Sequence, residues 1–379
     1  MKLRTLSLAL CIAAVAPFAS AKTLSEKPLS VKTETGNIQI KTIAEGLENI
    51  WGMAFLPDGN MLVTERPGRM RIVSADGKVG EPLAGLPDIY AQGQGGLLDV
   101  VLAPDFKTSK KIYFSYSEPG KGGNSTAVSF ATLNGNKLEN VTRVFSQQPK
   151  KNSGAHFGSR LVWAPDGTLF ITLGDRYSEK DQAQTLDNHQ GKVVRINADG
   201  TVPKDNPFLK TPGALPEIWS YGHRNVQGAA INPATKELWT GEHGPQGGDE
   251  LNIDRAAKNY GWPVITYGEN YGGGKIGEGT HKEGMEQPNY KWVPSIATAG
   301  FIFYTGDKFP QWKNNILLAS LKEKAFVRLV VDGEKITKEE RLLNKELNQR
   351  LRHVVQGPDG LVYLVSDESK AKIYQISPL

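Results

Sequence analysis

The chain has 379 residues, 39% of them hydrophobic and 22% charged, with a net charge of +5 and a single cysteine, Cys11. No basic run is interleaved with aromatics, so the modest positive balance argues for no nucleic acid partner. Beyond Cys11 nothing can form a disulfide, a thiolate metal site or a cysteine nucleophile.

The first residues read as a targeting segment. Lys2 and Arg4 give a positive start, Leu6 to Phe18 is a short apolar run, and Ala19-Ser20-Ala21 is a small-residue cleavage site. Residues 1–21 are therefore expected to be a signal peptide and the protein periplasmic or secreted. No later run is long and apolar enough for a membrane span. Residues 22–379 are expected to form one domain, since large β folds reach this length undivided.

Along that domain one pattern recurs: an apolar stretch, a Pro-Asp-Gly or a relative of it, then a β-rich strand. It begins at Met53 (MAFLPDGNMLVTER), Val100 (VVLAPDFKTSKKIYFSYSE), Leu161 (LVWAPDGTLFITLGDR), Ala229 (AAINPATKELWTGEHG) and His353 (HVVQGPDGLVYLVSD). A weaker copy, KFPQWKNNILLASL, begins at Lys308. Proline presets φ and Asp-Gly supplies the turn, so each unit is strand–turn–strand. Six copies at roughly 45–80-residue spacing predict an all-β protein, a six-bladed β-propeller of four-stranded antiparallel blades. Insertions between copies are expected as loops on one face. Leu343, Leu347 and Leu351 recur at helical spacing. Blade register instead predicts a strand and a loop there.

Residues that carry chemistry are dispersed beside these signatures. GQGGLLDV carries Gln94, GAHFGSRL His156, YGHRNVQG Arg224 and Asn225, SLKEK Lys322, and QRLRH Arg350 and Arg352. The strand ending at WTGEHGPQGGDELN breaks into a glycine-rich loop with His243, Asp249 and Glu250. A propeller gathers such loops around its axis. Cations converging there need a polyanion to offset their repulsion. A glycine-rich loop lets backbone carbonyls approach a hard cation such as Ca²⁺. The residues thus favour a channel for an anionic small molecule and a divalent ion, with a histidine available as base. GGGKIG at residues 272–277 lacks the strand–helix context of a dinucleotide site and reads as a loop.

At these stretches, and at GKVVRINADGTVPKDNPF and NYGWPVITYG, the chain resembles the soluble quinoprotein sugar dehydrogenases, specifically the aldose sugar dehydrogenase branch. The matches run in order along nearly the whole chain. The resemblance implies a six-bladed propeller that uses pyrroloquinoline quinone (PQQ) and Ca²⁺ to oxidise aldose sugars at C1 to lactones by hydride transfer. It implies His156 as general base. It places Gln94, Arg224, Asn225, Tyr271, Ser320, Lys322, Arg350 and Arg352 at the PQQ, with Asp367 orienting nearby basic groups. It puts the carbonyls of Gly244 and Pro245 on the Ca²⁺ beside PQQ, and Glu250 and Tyr260 on a second, structural Ca²⁺. Ala155 stands where the glucose dehydrogenase pattern has an acid, and His243 where it has glutamine. No haem motif is present, so a separate electron acceptor is expected. Two other classes compete: a non-catalytic propeller that binds a sugar or protein partner, and a metal-dependent lactonase.

Overall fold

The computed structural model describes residues 27–379. The expected signal peptide lies outside them. Six antiparallel sheets follow one another in sequence. Blade 1 runs from Ile50–Phe55 to Val79–Pro82, blade 2 from Leu97–Leu102 to Lys137–Ser146, and blade 3 from Leu161–Trp163 to Ile218–Tyr221. Blade 4 runs from Val226–Ile231 to Tyr290–Trp292, and blade 5 from Thr298–Phe303 to Lys335–Leu342. Each of these five has four strands in sequential order.

Blade 6 is built from both regions of the chain. Leu351–Gln356, Val362–Ser366 and Ala371–Pro378 supply three strands, Gly36–Leu47 the fourth, and Leu29–Thr33 an outer fifth. Ile40 faces Ile376 across the closing seam. The first strands of neighbouring blades touch all the way round, closing the ring. No helix among the described residues is long and apolar enough to cross a membrane.

The repeated turn signals mark the hairpin between first and second strands in every blade. Three are wired alike: Asp58, Asp166 and Asp359 each accept the backbone N–H two residues on, at 2.9–3.0 Å. The glycine that follows each aspartate has φ between +77° and +86°, a region where a side chain is strained. The helical spacing of Leu343 and Leu347 survives only as one turn, the Leu347 N–H donating to Leu343 O at 3.0 Å. Strand Lys335–Leu342 precedes it and strand Leu351–Gln356 follows, as blade register requires.

Alternating inward side chains bury six apolar clusters, one between each pair of blades. Truncating a large member such as Phe114 to alanine costs ~3–5 kcal/mol. The cluster between blades 3 and 4 is small, with only Phe170, Val193, Ala229 and Leu238 fully buried. Polar side chains fill the rest of that seam. His223 lies between Glu242 (2.9 Å) and Asp254 (3.3 Å) and stacks on Tyr260, with centroids 4.7 Å apart. Burial opposes its charge, but the two carboxylates outweigh that and push its pKa up to about 9.

Candidate active site

Every first strand starts, and every second strand ends, on the face opposite the proline–aspartate turns. Candidate residues therefore collect on one face. His156 precedes the first strand of blade 3 and Arg224 that of blade 4. The loop 243–248 follows the second strand of blade 4.

His156 is held in a left-handed conformation (φ +52°) and is buried. Gly174 makes this possible, because a Cβ there would lie 2.1 Å from His156 O. Gln94 Oε1 accepts the His156 backbone N–H at 2.9 Å. The imidazole Nδ1 is 2.6 Å from Asp175 Oδ1, and Asp175 Oδ2 accepts the Trp262 indole N–H at 2.8 Å. The carboxylate thus fixes the ring with Nδ1 as donor and Nε2 as acceptor. Burial pulls the imidazole below its ordinary 6.5, against the opposing pull of Asp175. The ring that results is neutral and basic at neutral pH.

Around His156 lies a cavity of ≈ 260 Å³, lined among others by Asp175, Arg224, Pro245, Trp262 and Tyr271. A second cavity of ≈ 230 Å³ lies on the axis side, lined by Trp51, Gln94, His243 and Leu321. Three guanidiniums, Arg66, Arg350 and Arg352, also line it, against one carboxylate, Asp367. That imbalance is the electrostatic signature of an anion site. Asp367 pairs with Arg352, lies 3.9 Å from Arg350 and accepts the Asn49 amide at 2.9 Å, so it orients the basic groups. Below them the Arg160 guanidinium lies 4.3 Å over Trp51 and donates to Asp99 at 2.8 Å.

Between blade 4 and the segment that follows its third strand, a narrow pocket of ≈ 10 Å³ is lined among others by Arg224, Glu242, Gly244, Glu250 and Tyr260. It is sized for one ion or water. Burial, and next the neighbouring Glu242, push the Glu250 carboxyl up to about 8. Two carboxylates this close fit a divalent cation, which removes the repulsion. Gly244 O faces the Arg224 guanidinium at 2.7 Å, and Asp249 holds the loop by accepting the Gly244 N–H at 2.9 Å. These carbonyls and carboxylates are the hard oxygen donors that Ca²⁺ takes.

The fold therefore brings Gln94, His156, Arg224, Pro245, Tyr271, Arg350 and Arg352 onto two adjoining cavities, and Gly244, Glu250 and Tyr260 onto one pocket. Asn225 stands behind them, its Oδ1 accepting the Gly158 N–H at 3.0 Å. Ser320 lines neither cavity, since it is buried and its hydroxyl donates to Ile296 O at 2.7 Å. Lys322 follows Leu321 in the wall but is itself exposed and lines neither cavity. Sequence reading alone missed Asp175, Trp262 and Arg66. Asp175 and Trp262 sit in the quoted stretches LGDR and NYGWP, so the types were visible while their pairing was not.

A buried imidazole–carboxylate pair open to one cavity, beside a cationic one, defines a propeller with enzymatic rather than purely adhesive machinery. The sequence pattern of the glucose/sorbosone dehydrogenase family matches residues 47–375. The chain is 47% identical over 347 residues to the aldose sugar dehydrogenase YliI of Escherichia coli (strain K12), covering 90% of this chain and 93% of that one. The soluble aldose sugar dehydrogenase of Escherichia coli, in its apo form, superposes with a TM-score of 0.88 at 46% identity, over 90% of this chain and 100% of that one. The PQQ-bound aldose sugar dehydrogenase of Streptomyces coelicolor gives 0.73 at 27% identity, over 90% and 98%. The chain belongs to the glucose/sorbosone dehydrogenase family and is an oxidoreductase.

Proposed function

We propose that this protein oxidises aldose sugars at C1 to lactones, with PQQ and Ca²⁺ as cofactors and His156 as general base. The observation that carries the reading is the His156–Asp175 pair, buried yet open to a cavity, with the cationic cavity beside it. When bound, PQQ supplies the two-electron acceptor for the C1 hydride and Ca²⁺ a Lewis acid beside it.

The chain's own residues do the rest. Asp175 keeps the proton on Nδ1, so Nε2 is free to take the proton of the C1 hydroxyl. Arg350 and Arg352 match the carboxylates of a planar tricarboxylate, with Arg224 at the side of His156. Gly244 and Pro245 offer carbonyl oxygens to the ion beside it, and Glu250 and Tyr260 hold a second, structural ion. Asn225 and Gln94 brace the backbone around His156. Ser320 and Lys322 are assigned to the cofactor by family resemblance alone. Electrons then leave to a separate acceptor, and export to the periplasm or beyond fits the N-terminal segment.

Dye-linked oxidation of glucose and other aldoses tests this. The purified apoprotein is assayed with PQQ and Ca²⁺ together, with each alone, and with His156→Gln in parallel. Turnover that needs both additions and is lost in the variant establishes the reaction. Neither turnover nor saturable PQQ binding would move the assignment to a non-catalytic propeller.

A further inference from the structure

Among the described residues most large aromatic rings are buried, but two are displayed. Tyr177 is 57% exposed and Tyr271 63%, and both line the ≈ 260 Å³ cavity that holds His156. Tyr271 belongs to the cofactor set already described. Tyr177 has no place in that set.

Its exposure is built, not accidental. Tyr177 sits at φ +67° and the preceding Arg176 at φ +60°, two successive residues in a region that bulky side chains avoid. Such strain persists only where the surroundings impose it, and it clusters at functional sites. Here the surroundings do impose it. The Arg176 guanidinium is fully buried, 3.7 Å over Phe157, and donates to Asn124 Oδ1 at 2.5 Å. The Tyr177 N–H donates to Asp175 Oδ1 at 2.8 Å, the oxygen that also holds His156 Nδ1. The tyrosine ring meets the imidazole edge-on, with centroids 5.3 Å apart and planes at 74°. Its hydroxyl makes no hydrogen bond among the described residues. The buried Arg176 and the Tyr177 N–H thus anchor the turn, while the Tyr177 side chain itself is left out of the core and without a polar partner among the described residues. What the strain secures is an aromatic face beside the base.

We infer that Tyr177 is the specificity-determining platform on which the ring of an aldopyranose packs, with its C1 hydroxyl turned to His156. This rests on the proposed sugar oxidation. A pyranose has an apolar face of C–H bonds and a polar rim. Laid on the exposed tyrosine, it meets the imidazole with that rim, where the C1 hydroxyl sits. Ser178, Lys180 and Asn270 line the same cavity and offer polar groups to the remaining hydroxyls. The rigid backbone of residues 176 and 177 fixes the platform against the base, which is what positioning a reacting hydroxyl requires. Substrates without a flat ring gain nothing from it, so selection is for ring-closed aldoses over open-chain polyols.

The test compares wild type, Tyr177→Phe and Tyr177→Ala, each loaded with PQQ and Ca²⁺ for the sugar measurements and taken as apoprotein with Ca²⁺ for the cofactor titration. Three readouts are taken: steady-state glucose oxidation, calorimetric binding of 1-deoxyglucose (the ring without the C1 hydroxyl), and spectral titration with PQQ. Removing the ring is expected to raise KM and the 1-deoxyglucose Kd about tenfold, as loss of one aromatic contact does, with kcat within about threefold. The phenylalanine variant is expected to stay within about twofold of wild type. PQQ affinity is expected to be unchanged in both. Equal 1-deoxyglucose binding by all three proteins overturns the platform, and so does weakened PQQ binding in Tyr177→Ala, which assigns the ring to the cofactor. Ring-dependent 1-deoxyglucose binding without glucose turnover would instead sink the proposed reaction and leave the platform standing.

Discussion

His156 Nδ1 lies 2.6 Å from Asp175 Oδ1, with the carboxylate almost wholly buried and the imidazole showing 7% of its surface toward the cavity. That oxygen also accepts the Tyr177 N–H, but the imidazole is the one side chain it holds. Asp175→Asn reverses the preferred tautomer and puts the proton on the atom that must accept one. Its kcat is expected to fall roughly 10²–10⁴-fold, with PQQ affinity intact. Steady-state kinetics beside a PQQ titration separate the two. A variant with near-normal kcat would remove His156 from the role of base.

The pH dependence follows from the same pair. As the proposed base, His156 would act only when neutral, and burial holds its pKa below 6.5. Activity should therefore persist as pH falls through 6.5 and drop only once the lowered pKa is reached. The acid limb of kcat/KM against pH is the measurement, and an inflection above 6.5 contradicts the burial argument.

Metal removal should act on stability as well as on turnover. An ion at 100 times its Kd stabilises the fold by about 2.7 kcal/mol. Adding Ca²⁺ to chelator-treated protein is expected to raise Tm by several degrees. Glu250→Gln should lose most of that gain and keep the fold without metal. Differential scanning fluorimetry with and without Ca²⁺ decides it. An equal shift in both proteins takes Glu250 out of the ion's shell.

Lys192 is fully buried in the third strand of blade 3, with no carboxylate partner. Its ammonium donates to Gln190 O at 2.6 Å and Gln182 O at 2.9 Å, stapling the loop that runs behind His156. Lys192→Met leaves those carbonyls buried and unmatched. A loss of roughly 2–4 kcal/mol is expected, since each unsatisfied group costs ~1–3 kcal/mol. Thermal or urea unfolding measures it, and an unchanged midpoint would mean that the loop holds without the staple.

On the proposed reading, Ala155, next to His156, leaves the sugar end without the acid that the glucose dehydrogenase pattern carries there. The expected result is a broad aldose range with weak binding of any one sugar. Ala155→Asp should lower KM for glucose more than for other aldoses. A panel of aldoses assayed with both proteins tests this, and a wild type strict for one monosaccharide refutes it.

The blades were legible because their signals are local. A proline, an aspartate and a glycine set φ and an N–H bond within five residues, whatever lies across the sheet. The same locality explains Leu343 and Leu347, whose spacing fits one helical turn and goes no further. Pairings across blades are another matter. Asp175 meets His156 over 19 residues, across the first hairpin of blade 3, and Trp262 over 87, across the seam to blade 4, and only the packing of the two blades brings all three together. The insertion at 255–289 also defied the expectation that long loops share the site's face. Arg255 and Asn289 both reach Glu334 at the turn side of blade 5. From there the segment climbs the edge of the ring until Glu269 pairs with Gln246 beside the site. Ser320 and Lys322 lie next to the cavity wall without lining it, a distinction of strand orientation that motif matching does not make.

Blade 6 takes its fourth strand from residues 36–47 and its first three from residues 351–378. During synthesis the early strand can pair at once with Leu29–Thr33 on one side, but its other edge has no partner until almost the entire chain has emerged. That edge stays open for the longest interval of any in the molecule, and contacts so distant in sequence form slowly. Closure of that seam is the step at which the nascent chain is most exposed to edge-to-edge pairing with another copy. The side chains along Gly36–Leu47 alternate between buried isoleucines and polar Asn37, Gln39, Lys41 and Glu45, so the waiting strand carries its own charge and polarity against aggregation.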